Sequence, residues 1–181
     1  MIDIAAINKD KHLFVDASLP LITVYDDYYY FSNDYDVLSH GQRNYLINYF
    51  TKQGFVQTSG RVLTLDGWRL EFIKPNRLLA QSSFQPAFID KESDRCYLIT
   101  PTGYAQAIFY QHQVSSADTA ISEKAFNLFK ALIDKCPFNL QWLKDVHINT
   151  DLAPIINANF NLLNDYQAQV IEEKFKNKRP L

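Results

Sequence analysis

Apolar and polar residues alternate with period two through Trp68-Arg-Leu-Glu-Phe-Ile73. Successive strand side chains point to opposite faces, so this pattern sets Trp68, Leu70 and Phe72 toward a core and Arg69, Glu71 and Ile73 on the other side. Residues 55–64 read as the preceding antiparallel strand, joined to the stretch 68–75 at Leu65-Asp66-Gly67, because Asp-Gly between apolar runs is a hairpin signal. Residues 31–38 are also strand-like, with Asp34 and Asp36 sharing a face. Residues 95–101 give a strand that ends at a proline. A further short strand is expected within 78–88 and a polar turn at 90–94. Residues 12–24 fit either a short strand with a turn or a short helix beginning near Ser18.

Period two gives way to helical spacing in three places. Ser39-His-Gly-Gln42 has the form of a capping box, and Tyr45, Leu46, Tyr49 and Phe50 recur at helical spacing before Gly54 ends the run. Residues 104–112 form the next expected helix, with Ala105, Ile108 and Phe109 inward. From Ala117 onward the pattern is helical. Asp118 or Ser122 caps a stripe of Ala125, Phe126, Phe129, Leu132 and Ile133, and Pro137 ends it. A short segment follows at 140–144, then a last helix over about 151–176 with Ile155, Ile156, Phe160, Leu163, Tyr166 and Ile171 on one face. Pro137 is the one hinge signal. The expected organisation is an α/β body over 1–115 with a helical C-terminal unit over 116–181 packed on it.

A chain of 181 residues with 47% hydrophobic and 14% aromatic content can bury a substantial core. Its net charge of −2 provides no global field for nucleic acid or an anionic membrane. Charge is uneven, however: the first forty residues hold seven aspartates against two lysines, and Lys174-Phe-Lys-Asn-Lys-Arg179 is basic. Cys96 and Cys136 have neither CxxC nor Cys/His spacing, which reads as two reduced thiols. The start lacks a basic leader followed by an apolar run, and no run approaches the ~20 apolar residues of a membrane span. These features lead us to expect a cytoplasmic protein with no membrane partner.

Asp34 and Asp36, one residue apart on a strand, are two adjacent anions that a hard divalent cation such as Mg²⁺ would neutralise. A solvated strand end is the other reading of the same pair. Glu71 supplies a third carboxylate on a strand that can lie beside them. The order of motifs is Asp34-Tyr-Asp36, Gly54-Phe55, Gly60-Arg61, Leu70-Glu71-Phe72 and Leu98-Ile-Thr-Pro-Thr102. In that order the chain resembles the small DNA polymerase beta-like nucleotidyltransferases of abortive-infection and toxin–antitoxin systems, over roughly residues 15 to 145. Ala17-Ser18 stands where the family has a Gly-Gly or Gly-Ser pair. Gly103 and Gln106 stand where it has an acid and a lysine.

The resemblance implies an α+β fold, a nucleotidyltransferase-like mixed sheet flanked by helices. It implies that Asp34, Asp36 and Glu71 are the catalytic, Mg²⁺-holding carboxylates, and that Ser18, Arg61 and Lys74 hold the nucleotide. The expected reaction is transfer of a nucleotide from a nucleoside triphosphate to an RNA or protein acceptor. The alternative is a non-catalytic relative, an antitoxin or immunity-type module binding a protein encoded nearby. In a third reading the acids are surface residues of a metal-free α/β protein. Arg61 and Lys74 each fit either a phosphate contact or a simple ion pair. His40, in a first helical turn, fits a surface residue better than a direct role.

Overall fold

The computed structural model describes residues 2–25, 37–73, 94–115 and 118–176. Among the described residues, six strands form one mixed sheet in the order β1-β2-β6-β5-β4-β3. They are β1 (Leu13–Val15), β2 (Leu21–Val24), β3 (Val56–Ser59), β4 (Val62–Leu65), β5 (Trp68–Phe72) and β6 (Arg95–Ile99). Six α-helices accompany them: α1 (Ile4–Lys9), α2 (His40–Lys52), α3 (Pro101–Ser115), α4 (Glu123–Lys135), α5 (Leu140–Val146) and α6 (Ala153–Val170), the last running into a π-helical turn at Ile171–Phe175. The architecture is a mixed α/β one, compatible with the expected α+β class. Residues 31–36 of the expected strand over 31–38, the expected strand within 78–88 and residues 90–93 of the expected turn lie outside the described residues, while Val37 and Leu38 are not in a strand.

Residues 12–24 resolve to a hairpin: β1 and β2 are antiparallel, with Leu13 opposite Val24. The turn is locked by Asp16, whose carboxylate accepts from the Ser18 backbone at 2.8 Å and from the Ser18 hydroxyl at 2.5 Å. The first strand of the expected β-hairpin is a correction. Residues 55–64 are not one strand but two, β3 and β4, broken at Gly60-Arg61, so Arg61 sits in a turn rather than in a strand. The Asp66-Gly67 turn between β4 and β5 forms as expected. Both residues have positive φ, 47° and 84°, the backbone a tight two-residue hairpin requires.

The sheet is covered on both faces. Leu13, Val15, Ile22, Leu63, Leu70, Phe72 and Leu98 bury one face against Ile7 of α1 and Leu46 and Phe50 of α2. Phe14, Leu21 and Ile99 point to the other, into a core shared with Tyr104, Ile108 and Phe109 of α3, Phe129 and Ile133 of α4 and Ile156 and Leu163 of α6. The caps are those read from the pattern. Ser39 Oγ accepts from Gln42 N while Gln42 Oε1 accepts from Ser39 N. At the other end of α2, Gly54 (φ 94°) donates to Thr51 and Phe55 donates to Phe50, closing the last turn with the two rings 5.5 Å apart. Ser122 rather than Asp118 caps α4. Helix α3 begins earlier than expected, at Pro101, because Thr100 Oγ1 accepts from Gly103 N and proline suits a first helical position.

Two side chains tie down the stretch around Pro137. Lys135 of α4 donates to the carbonyls of Asn8 and Asp10, and Gln167 of α6 brackets Phe138, accepting from its N–H and donating to its C=O. The link after Pro137 is thereby pinned from both sides.

Candidate functional site

The parallel strands β5 and β6 bring together residues that the alternation placed on one face. Glu71 is level with Tyr97 of β6 and with Val62 of β4, and Arg69 is level with Arg95. Arg69 and Glu71 share a face because they are two apart, and Arg95 and Tyr97 share it for the same reason. Two guanidinium groups therefore rise from neighbouring positions of adjacent strands, an arrangement that like charge disfavours.

Glu71 answers part of that charge. Arg69 Nη2 lies 3.1 Å from Glu71 Oε2 and Arg61 Nη1 3.7 Å from Oε1, so each carboxylate oxygen faces one arginine. Arg95 Nη1 donates to the Tyr97 hydroxyl at 3.3 Å. Glu71 is the more covered partner, with 18% of its side chain exposed against 43% for Arg61 and 45% for Arg69. Among the described residues, Arg61 and Arg69 converge on the one carboxylate of Glu71. Planar guanidiniums with outward-facing N–H groups match the oxygens of phosphate or carboxylate. The arrangement can hold an anion at the solvent-facing side of Arg61 and Arg69.

Of the residues expected at the site, Arg61 and Glu71 meet. Asp34, Asp36 and Lys74 lie outside the described residues. Ser18 does not join this cluster: it stands in the β1–β2 turn with its hydroxyl proton directed at Asp16. Among the described residues no group of three or more His, Cys, Asp or Glu side chains converges. A Mg²⁺ ion at Glu71 as it is held would face two guanidiniums, so the described residues do not fit that ion.

The remaining polar candidates are structural in their contacts. His40 Nε2 pairs with Asn44 on the exposed side of α2, 2.9 Å away. Gln106, at the position where the family carries a lysine, is 1% exposed, and its amide nitrogen lies 2.8 Å from His147 Nε2. An amide nitrogen can only donate, which makes Nε2 the acceptor and places the imidazole proton on Nδ1, 2.8 Å from Thr150 Oγ1. Burial holds the His147 pKa below its usual value, in keeping with a neutral ring. Burial also pushes the Cys96 thiol up to about 11, away from thiolate reactivity.

Arg69 and Arg95 were not singled out by sequence reasoning. Alternation alone puts Arg69 beside Glu71. Nothing local assigns Arg95, because its neighbour across a parallel pair depends on long-range register. No protein-family model, curated protein or solved structure matches this chain.

Proposed function

We propose that the chain is a nucleotidyltransferase-like protein that binds the phosphates of a nucleotide on the β4–β5–β6 face of its sheet. The single observation behind this is the pairing of Arg61 and Arg69 with one carboxylate, Glu71, with Arg95 in register beside Arg69. An incoming phosphate oxygen set competes with Glu71 for the same two guanidiniums, those of Arg61 and Arg69. Tyr97, in the same row, offers an aromatic body beside those cations. In the catalytic form of this reading Asp34, Asp36 and Glu71 would be the carboxylates that hold Mg²⁺, which would supply charge stabilisation for transfer to RNA or a protein, and Glu71 would first have to leave its arginines.

A second reading follows from the same ion pairs. Because both oxygens of Glu71 are engaged, a non-catalytic relative that binds a protein encoded nearby is also consistent with the site. Isothermal titration of the full chain with each nucleoside triphosphate, with and without Mg²⁺, separates the two. Saturable binding that is lost in Arg61→Ala/Arg69→Ala supports nucleotide recognition. No binding of any triphosphate, together with a stable complex with the neighbouring gene product, supports the second reading and sinks the first.

A further inference from the structure

A cavity of about 240 Å³ opens between the β1–β2 turn, α3 and α4, away from the arginine cluster. Its walls include Ile108 and Leu128, which are apolar, and Ser18, His112, Ser122 and Lys124, which are polar. None of the described residues that line it is a carboxylate, whereas two are basic. Depth separates them: His112 is 7% exposed, while Lys124 and Ser122 are exposed at the mouth. Ser122 Oγ accepts from Ala125 N, which leaves its own hydroxyl proton to donate.

We propose that this cavity binds a small organic anion, a carboxylate carried on an apolar body. The apolar wall formed by Ile108 and Leu128 takes the body. Lys124 and Ser122, exposed at the mouth, take the charged head, and an apolar wall beside a few polar groups is the usual form of a ligand site. The volume lies below the roughly 300–1,000 Å³ of sites that enclose drug-sized ligands, which excludes a whole nucleoside triphosphate and suits a molecule the size of an aromatic acid. This assignment is independent of nucleotide binding at Glu71, since none of Arg61, Arg69, Glu71 and Arg95 lines the cavity.

The test titrates the full-length protein with benzoate, and with benzamide as its neutral counterpart, following the His112 ring and the amides of α4 by NMR. Benzoate should shift these signals saturably in the millimolar range or below, and benzamide should bind about tenfold more weakly. Lys124→Glu should lose about tenfold in benzoate affinity and Lys124→Arg should keep most of it. Lys124 is exposed, so neither variant threatens the fold. Equal binding of benzamide, an unchanged affinity in Lys124→Glu, or no saturable response at any accessible concentration would each overturn the assignment.

Discussion

Replacing Glu71 by glutamine removes the carboxylate that Arg61 and Arg69 share while keeping the shape of the side chain. The carboxylate faces Arg69 at 3.1 Å and Arg61 at 3.7 Å, and both arginines are nearly half exposed. Half-exposed pairs are screened, so each contributes on the order of 0.2–1 kcal/mol rather than its full Coulomb energy. Two pairs lost, with Arg69 and Arg95 left side by side, give a destabilisation of roughly 0.5–2 kcal/mol. For a chain of this size that lowers Tm by roughly 1–8 °C. Phosphate should reverse the loss, because an anion that binds only the folded protein stabilises it by mass action. Thermal denaturation in phosphate and in chloride of matched ionic strength is the assay. Glu71→Gln should gain more from phosphate than the wild type does, since no carboxylate competes for the guanidiniums. An unshifted Tm, or equal effects of phosphate and chloride on both proteins, would refute the idea that these arginines form an anion site.

The buried imidazole of His147 gives a pH dependence with a fixed sign. Its folded pKa is depressed by burial below the unfolded value near 6.5, so its contribution is fully present above that pH and lost as pH falls toward the folded value. Denaturant unfolding between pH 7.5 and 5.5 should show stability falling by up to about 1.4 kcal/mol per pH unit, with a shallower slope in His147→Gln. An identical slope in the two proteins would contradict the neutral assignment. Gly67 holds φ at 84° with open space around the position of an added Cβ, so Gly67→Ala strains only the backbone and should cost about 1–2 kcal/mol by chemical denaturation. No loss of stability there would show that the β4–β5 turn relaxes without penalty.

What could be read from sequence was whatever a local rule decides. The Ser39–Gln42 capping box, the glycine stop at Gly54 and the Asp66-Gly67 turn depend on residues within a few positions of one another, and all three formed. So did the burial of Leu70 and Phe72, because alternation is a property of a single strand. The break at Gly60-Arg61 does have a local sign, the turn-forming dipeptide Ser59-Gly60, which the apolar alternation on either side of it masks. The placement of β2 beside β6 had no local sign at all. Parallel pairing joins strands far apart in sequence, Leu21 opposite Tyr97, and no motif in either strand marks it. For the same reason Arg95 could not be assigned to the site, whereas Arg61 and Glu71, close in sequence and joined through hairpins, could. Gln106 was read as a lost lysine, but its burial against His147 is a tertiary fact.

The two edges of the sheet are built differently. Along β1, the amide of Asn8 donates to the Val15 carbonyl at 2.7 Å and accepts from the Val15 N–H at 3.1 Å, imitating one rung of a neighbouring strand. All four residues of β3 on the far edge are exposed, none carries a charge, and a bulge between Gln57 and Ser59 is the irregularity there. Among the described residues, growth of the sheet by an added chain is thus directional: an intruding segment is refused at Val15 and meets a bent rung at Gln57–Ser59. A lysine introduced at Thr58 is where a protein engineer would begin if purified material were found to polymerise.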